Sequence, residues 1–332
     1  MVASEQRRVF LTGAAGFIGF HLARRLLAEG VRVLGLDNLN AHYDPGLKMR
    51  RLAELDREPF FDFERGDIGD HEAIARLVAS FRPTEIVHLA AHAGVRPSIN
   101  APRPYVAANV DGFLGVLEAC RAHPVRHLVY ASSSSVYGAT AVAPFRETEP
   151  VDHPVSLYAV TKRANELMAD AYAHLFRVPS TGLRFFTVYG PWGRPDMAYW
   201  RFTEAIAAGK PVELFNDGRM SRDMTYVDDA VEAVTRLLAR PPEAERPHRI
   251  VNVGNASPVP LVRFVDIVEA AVGRPAERVN RPMQPGDVPV TSADTTRLRD
   301  ITGFAPSTPA ETGLPLFVDW YRNYRPEPAA RA

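Results

Sequence analysis

The chain has almost no cysteine and no surplus of either charge. Cys120 is the one cysteine among 332 residues, so no intrachain disulfide can form and no zinc site of paired cysteines is available. It sits in the apolar stretch Val116-Leu117-Glu118-Ala119-Cys120, the setting of a packed core thiol rather than a nucleophile. Lysine plus arginine number 39 and aspartate plus glutamate number 39, so no global field draws in nucleic acid or an anionic membrane, and neither is an expected partner. No apolar run is long enough to span a bilayer. The opening Met1-Val2-Ala3-Ser4-Glu5-Gln6-Arg7-Arg8 is not followed by the apolar segment of a secretion signal, and a cytoplasmic compartment is the expectation. Internal repeats are absent, and no metal-ligand set is apparent. What remains is 46% hydrophobic and 23% charged, ordinary for a globular chain with a sizeable core.

Short apolar runs alternate with longer amphipathic segments through the first half. Strands are predicted at 8–12, 31–36, 60–64, 85–89, 126–131 and 180–186, and helices at 17–29, 70–81, 103–122 and 158–176. This alternation predicts an α/β fold of the Rossmann type, with right-handed crossovers, a doubly wound parallel sheet and ligands at the carboxyl ends of the strands. After Tyr189-Gly190-Pro191-Trp192-Gly193 the turns become denser and the pieces shorter: strands at 211–215, 223–227 and 250–253, helices at 261–272 and 310–324. The expected organisation is one domain over 1–189, a smaller C-terminal lobe over 190–325 and a frayed tail at 326–332. Residues 226–254, with a helix at 228–238, are the part of the later chain that could rejoin the first sheet.

Every glycine or hydroxyl cluster falls at the end of a predicted strand. Gly13-x-x-Gly16-x-x-Gly19 follows the first strand and opens a helix, where Gly13 allows a tight turn and Gly16 lets the backbone approach a pyrophosphate. The spacing is GxxGxxG rather than the commoner GxGxxG, so context has to support it. Asp37 ends the second strand 18 residues after Gly19, where a carboxylate accepts bonds from adenosine ribose hydroxyls. It would also repel a 2′-phosphate, which favours NAD over NADP. Asp67-Ile68 ends the third strand and would flank the adenine. Leu89-Ala90-Ala91-His92-Ala93-Gly94 ends the fourth with small residues that leave room for the cofactor. Residues 1–189 therefore read as an NAD-binding domain.

Tyr158 and Lys162 stand four residues apart, one turn on a helix face. A free phenol ionises near 10, too high for a base at neutral pH. A lysine one turn away, together with oxidised nicotinamide, favours the phenolate. Upstream, Ala131-Ser132-Ser133-Ser134-Ser135-Val136-Tyr137-Gly138 is a strand running into a hydroxyl-rich turn, and Ser133 can hold the same substrate oxygen against the phenol. Glycine turn, serine turn and YxxxK in this order point to hydride movement on and off a carbinol carbon, with Tyr158, Lys162 and Ser133 as the catalytic set. His88 and His153 are expected to be structural.

The chain resembles the extended short-chain dehydrogenase/reductase family over essentially its whole length. Ala93-Gly94-Val95-Arg96, Ser132-Ser133-Ser134-Ser135-Val136-Tyr137-Gly138, Asp152-His153-Pro154-Val155-Ser156-Leu157-Tyr158 and above all Gly182-Leu183-Arg184-Phe185-Phe186-Thr187-Val188-Tyr189-Gly190-Pro191-Trp192-Gly193-Arg194-Pro195-Asp196-Met197-Ala198 are similar to UDP-glucuronate 4-epimerases within it. The resemblance implies a UDP-sugar substrate, tightly held NAD, a transient 4-keto sugar and interconversion of UDP-glucuronate with UDP-galacturonate. A UDP-glucose/galactose 4-epimerase and a non-catalytic NAD(H)-binding regulator are the alternatives. Related 4,6-dehydratases usually carry an Asp-Glu pair at Ser134-Ser135, and decarboxylating relatives a Glu at the second position. Two serines supply no charged acid or base, which argues for simple epimerisation. By resemblance the cofactor wall would comprise Gly13, Ala15, Gly16, Phe17, Ile18, Gly19, Asp37, Asn38, Asp67, Ile68, Leu89, Ala90, Ala91, Ala93, Asn109, Ala131, Ser132, Tyr158, Lys162, Phe185 and Val188. The sugar would meet Gly94, Val95, Arg96, Ser133, Ser134, Ser135, Tyr158 and Thr187, with Thr187, at the end of the sixth strand, against the C6 carboxylate. Arg194, Arg222 and Arg281 would take phosphate and sugar, and Asp287 the uridine ribose. The resemblance also implies a homodimer built on two helices per subunit.

Overall fold

The computed structural model describes residues 7–139, 142–284 and 286–324. The expectations for the opening 1–6, for Pro285 and for the 326–332 tail lie outside the described residues. In chain order the strands are β1 (Arg8–Thr12), β2 (Arg32–Asp37), β3 (Phe61–Arg65), β4 (Glu85–His88), β5 (His127–Ser133), β6 (Ser180–Phe185), β7 (Thr187–Tyr189), β8 (Val212–Phe215), β9 (Ser221–Tyr226), β10 (His248–Val253), β11 (Pro258–Pro260) and β12 (Arg278–Arg281). The helices are α1 (Phe17–Ala28), α2 (Pro45–Leu55), α3 (His71–Phe81), α4 (Val95–Asn100), α5 (Pro102–Tyr105), α6 (Gly112–Ala122), α7 (Leu157–Phe176), α8 (Ala198–Ala207), α9 (Val227–Leu238), α10 (Leu261–Val272), α11 (Thr296–Thr302) and α12 (Ala310–Tyr324).

Seven strands pair in the order β10-β6-β5-β4-β1-β2-β3, all parallel. Both faces are covered along the middle of the sheet, so β1, β4 and β5 read as largely apolar runs, whereas the edge strand β3 alternates and is largely exposed. On β1 the pleat sends Val9 and Leu11 into one core with α1 and α9, and Phe10 into the other with α3 and α6. Strand order reverses between β1 and β4, which opens a crevice at their carboxyl ends. β10 extends this sheet by pairing with β6, so part of the later chain returns to it.

The rest forms a three-stranded sheet, β11-β9-β7, and a two-stranded one, β12-β8, with α8, α10 and α12 packed around them. Asp223, fully buried on β9, ties this region together. Its carboxylate accepts the backbone N–H groups of Asn255 (2.7 Å), Ala256 (3.0 Å) and Ala293 (2.8 Å). Among the described residues no helix is long and apolar enough to cross a membrane.

Several features differ from expectation, among them unpredicted α4, α11, β11 and β12. No helix is predicted at 45–55 or 198–207, yet α2 and α8 are there. α2 starts with the Asp44 carboxylate accepting from Gly46 N and with Pro45 in its first turn. The 103–122 segment is not one regular helix: α5 and α6 are joined by a wide π turn at Val106–Asp111. There Asn165 Nδ2 donates to the Asn109 carbonyl at 2.5 Å, taking an acceptor that a regular helix keeps for itself. The 180–186 strand stops at Phe185: Phe186 N still bonds Val253 O of β10, but Thr187 leaves the sheet to pair with Met224 of β9. Thr187 thus opens β7 rather than ending the sixth strand.

Candidate active site

A cleft of about 1040 Å³ follows the carboxyl ends of the central strands and continues between them and the smaller sheets. Its first half is built by the β1–α1 turn. Gly13 has φ +77°, and a Cβ there would stand 2.7 Å from Ala90 N, while a Cβ at Gly19 would lie 2.1 Å from Gly13 O. Only glycines let this turn close under the cleft. Helix α1 has no side-chain cap at Gly16, and Gly16, Phe17, Ile18 and Gly19 line the cleft, so the helix start is available to a phosphate. Asp37, buried at the end of β2, accepts from Leu39 N (2.8 Å) and from Lys48 Nζ (3.4 Å) through one oxygen, Oδ1. The turn, the uncapped helix and the carboxylate beyond it fit a dinucleotide such as NAD.

Tyr158 and Lys162, on the first turns of α7, reach the same cleft beside the Ser133 turn that ends β5. Burial pushes the Tyr158 phenol up from its ordinary value; hydrogen bonding with Ser133 and the Arg194 cation pull it back. Its ring and that of Tyr105 are edge-to-face, with centroids 6.2 Å apart. Lys162 is buried, and burial lowers its ammonium to about 8. Its Nζ donates to Ala131 O at 2.9 Å, which anchors the lysine under β5. The Ser133 hydroxyl caps a short turn by accepting from Ser135 N at 3.2 Å, and donates to Ser135 Oγ at 3.1 Å. Below it, Ser132 Oγ donates to Glu166, whose carboxylate is held by Arg184 in a buried two-point pair at 2.8 and 2.9 Å. That pair fixes the strand end carrying Ser133.

The second half of the cleft is rich in arginine. Arg194 is bonded at two points by Asp196, at 3.0 and 2.6 Å. Arg96 pairs with Asp287 at 2.9 Å and lies over the Phe215 ring. Arg281 pairs with Glu213 at 3.0 Å. Arg222 differs: its guanidinium donates to the carbonyls of Ser221 and Pro289, and no carboxylate pairs with it among the described residues. Thr187 stands half-buried between the two halves.

Residues 9–254 match the NAD dependent epimerase/dehydratase family. The chain belongs to that family. It is 48% identical to a probable UDP-glucuronate 4-epimerase of Rhizobium meliloti (strain 1021), over 96% of this chain and 98% of that protein. The crystal structure of UDP-glucuronic acid 4-epimerase from Bacillus cereus with UDP-glucuronic acid and NAD superposes with a TM-score of 0.89 at 31% identity, covering 96% of this chain and 99% of that one. A UDP-glucose 4-epimerase of Thermotoga maritima with UDP-glucose superposes at 0.86 and 29% identity, covering 96% of this chain and 99% of that one.

Of the residues predicted for this epimerase-family site, the structure gathers all but three on the cleft wall. Ala15 is turned away, its carbonyl accepting from Arg51 at 2.8 Å. Asp67 accepts from Asn38 Nδ2 (2.7 Å) and Gly69 N (2.9 Å), and the cap of α3 is Asp70. Asn109 is buried behind the wall, where it accepts from His92 N and donates to His92 O and Thr161 Oγ1. Sequence reasoning missed Lys48, His42 and Tyr43 from the loop before and the start of α2, and Arg201 and Lys210 near α8, all of which line the cleft. The Asp44-Pro45 helix start was the one available signal for the first group. His88 bonds Thr12 Oγ1 at 2.8 Å inside the sheet and stacks on Phe113, and His153 is exposed. Cys120 is buried, and burial raises its thiol to about 12. Among the described residues no group of three His, Cys, Asp or Glu side chains could hold a metal ion.

Proposed function

We propose that this chain inverts C4 of a UDP-linked uronic acid, interconverting UDP-glucuronate and UDP-galacturonate with NAD as its cofactor. The carrying observation is the turn at Ser133, Ser134 and Ser135: it brings hydroxyls and no carboxylate to Tyr158, between a dinucleotide turn and an arginine-rich cleft. Likeness to the Rhizobium meliloti and Bacillus cereus proteins supports the reading.

NAD, when bound, supplies reversible removal of a hydride from C4, so that this carbon becomes a planar ketone. Tyr158 takes the C4 hydroxyl proton as the phenolate and gives it back, and Ser133 holds the same oxygen. Lys162, charged below about 8, favours the phenolate. For the sugar to present its other face it turns about its bond to the diphosphate, so the nucleotide must stay fixed. Arg222 and Arg281 are assigned to the diphosphate, and Asp287 to the uridine ribose. A C6 carboxylate beside a C4 ketone is a β-keto acid, which loses carbon dioxide when the two groups align. Thr187, Ser134, Ser135 and Arg194 are assigned to hold it out of alignment.

The same reading makes 1–189, joined by β10, the NAD-binding part, most of 190–325 the substrate lobe, and the cytoplasm the compartment. It also makes the protein a homodimer. Val160, Leu167 and Leu175 on α7 are 45%, 54% and 64% exposed, and Val106 on the π turn is 45% exposed, an apolar face suited to a second copy across a two-fold axis. Sedimentation at micromolar protein tests this; a monomer would contradict it. For the reaction, purified protein is given UDP-glucuronate or UDP-glucose. Formation of UDP-galacturonate is expected. Faster turnover of the neutral sugar would replace this reading with a UDP-glucose epimerase, and no turnover of either would leave a non-catalytic NAD(H)-binding protein.

A further inference from the structure

We propose that Lys48 is a second determinant of dinucleotide choice: a built-in cation for a 2′-phosphate that Asp37 keeps occupied. Lys48 lies on α2 with only 5% of its surface exposed. Its Nζ is 3.4 Å from Asp37 Oδ1 and 3.2 Å from Asn40 Oδ1, and 5.3 Å from the centre of the Tyr43 ring. Lys48 and Asp37 both line the cleft. Asp37 Oδ1 also accepts from Leu39 N, so Oδ2 is the oxygen left for a ribose hydroxyl.

In dinucleotide folds a carboxylate at the end of the second strand accepts the adenosine ribose hydroxyls of NAD, whereas a cation nearby accommodates the 2′-phosphate of NADP. Here the two stand in contact at one corner. A 2′-phosphate, with a charge of roughly −1.5 to −2, is repelled by Asp37 and can engage Lys48 only by leaving that carboxylate unpaired. Without the carboxylate, Lys48 becomes a largely buried cation lacking its anion, and a phosphate restores the balance. Arg65, the register partner of Asp37 on β3, adds a further positive charge on the neighbouring strand. Rejection of NADP therefore depends on Asp37, while the capacity to accept it resides in Lys48.

The proposal rests on the cofactor reading, and its test reads nucleotide binding rather than turnover. Protein is incubated with mixtures of NAD and NADP and desalted, and the retained nucleotides are quantified by chromatography. Wild type is expected to hold mainly NAD. Asp37→Asn, which keeps the shape, should raise the NADP/NAD ratio by about tenfold or more, the size of one gained charge-assisted bond. Lys48→Met in that background should remove most of the gain, and Lys48→Arg should keep it. Lys48→Gln serves in place of methionine if that variant does not fold. Equal ratios for Asp37→Asn with and without Lys48 would overturn the role of Lys48. Wild type retaining neither dinucleotide would overturn the cofactor reading and this proposal with it.

Discussion

Removing the Thr187 hydroxyl should uncouple sugar binding from carboxylate control. Thr187→Val keeps volume and branching at the first residue of β7, where the backbone register with Met224 holds the position. Among the described residues the hydroxyl has no internal partner, so its loss strands no buried group and should cost the fold little. Its effect should appear when a carboxylate is bound. A hydrogen bond to a charged acceptor is worth about 1.5–3 kcal/mol, so UDP-glucuronate affinity should fall by roughly 10–150-fold. UDP-glucose lacks the carboxylate and should bind nearly as before. A carboxylate freed to rotate into line with the C4 ketone should also be lost as carbon dioxide in a fraction of turnovers, leaving a 4-keto-pentose nucleotide and NADH. Mass spectrometry of products, alongside titration with both sugars, measures the two effects. Unchanged affinity for the acid and no decarboxylated product would make Thr187 a strand residue and leave the carboxylate to Ser134, Ser135 or Arg194.

Three further outcomes are expected. Tyr158→Phe should keep the fold and the nucleotide but lower kcat by at least about 100-fold, since phenylalanine cannot take the proton; a loss below tenfold would remove Tyr158 as the base. Lys162→Met should move the kcat–pH profile to higher pH, because burial already raises the phenol and a nearby ammonium, present below about 8, favours the phenolate; an unmoved profile would assign the lysine to anchoring Ala131 alone. Acid should destabilise the fold through neutral buried histidines. His21 and His127 are lowered from 6.5 to about 4 and His88 to about 3, in each case mainly by burial. A folded value below the unfolded one leaves stability intact above about 6.5 and erodes it as pH falls toward the folded value. For His127 alone the span corresponds to about 3 kcal/mol, so urea midpoints should drop steeply between pH 6.5 and 4; a flat profile would contradict neutral burial.

The alternation of apolar runs made the parallel sheet legible, because strands covered on both faces need no polar side. It also located the glycine turn, the serine turn and the Tyr158–Lys162 pair, since each sits at a strand end or one helix turn apart. α2 was harder to read because its buried face includes Lys48 and Arg51, which look like a solvated surface. Arg51 is fully buried, with Tyr43 OH and the carbonyls of Ala15, Trp192 and Gly193 as partners, and two of those lie more than 140 residues away along the chain. The pairing of Arg96 with Asp287, 191 residues apart, was equally invisible. The π turn arises from a side chain of another helix, Asn165, meeting the Asn109 carbonyl, and no local pattern encodes that. Thr187 continues a β-like run in sequence, and only its pairing with Met224 of β9 shows that another sheet begins there.

The most direct measurement follows UDP-glucuronate incubated with the purified protein, with sugar nucleotides separated by chromatography and absorbance at 340 nm recorded together. The expected result is UDP-galacturonate approaching a constant ratio with UDP-glucuronate from either direction, with no net NADH and no loss of carbon dioxide. NADH accumulating in proportion to substrate consumed, or a decarboxylated product from wild-type protein, would contradict an epimerase that returns the hydride to the carbon it left.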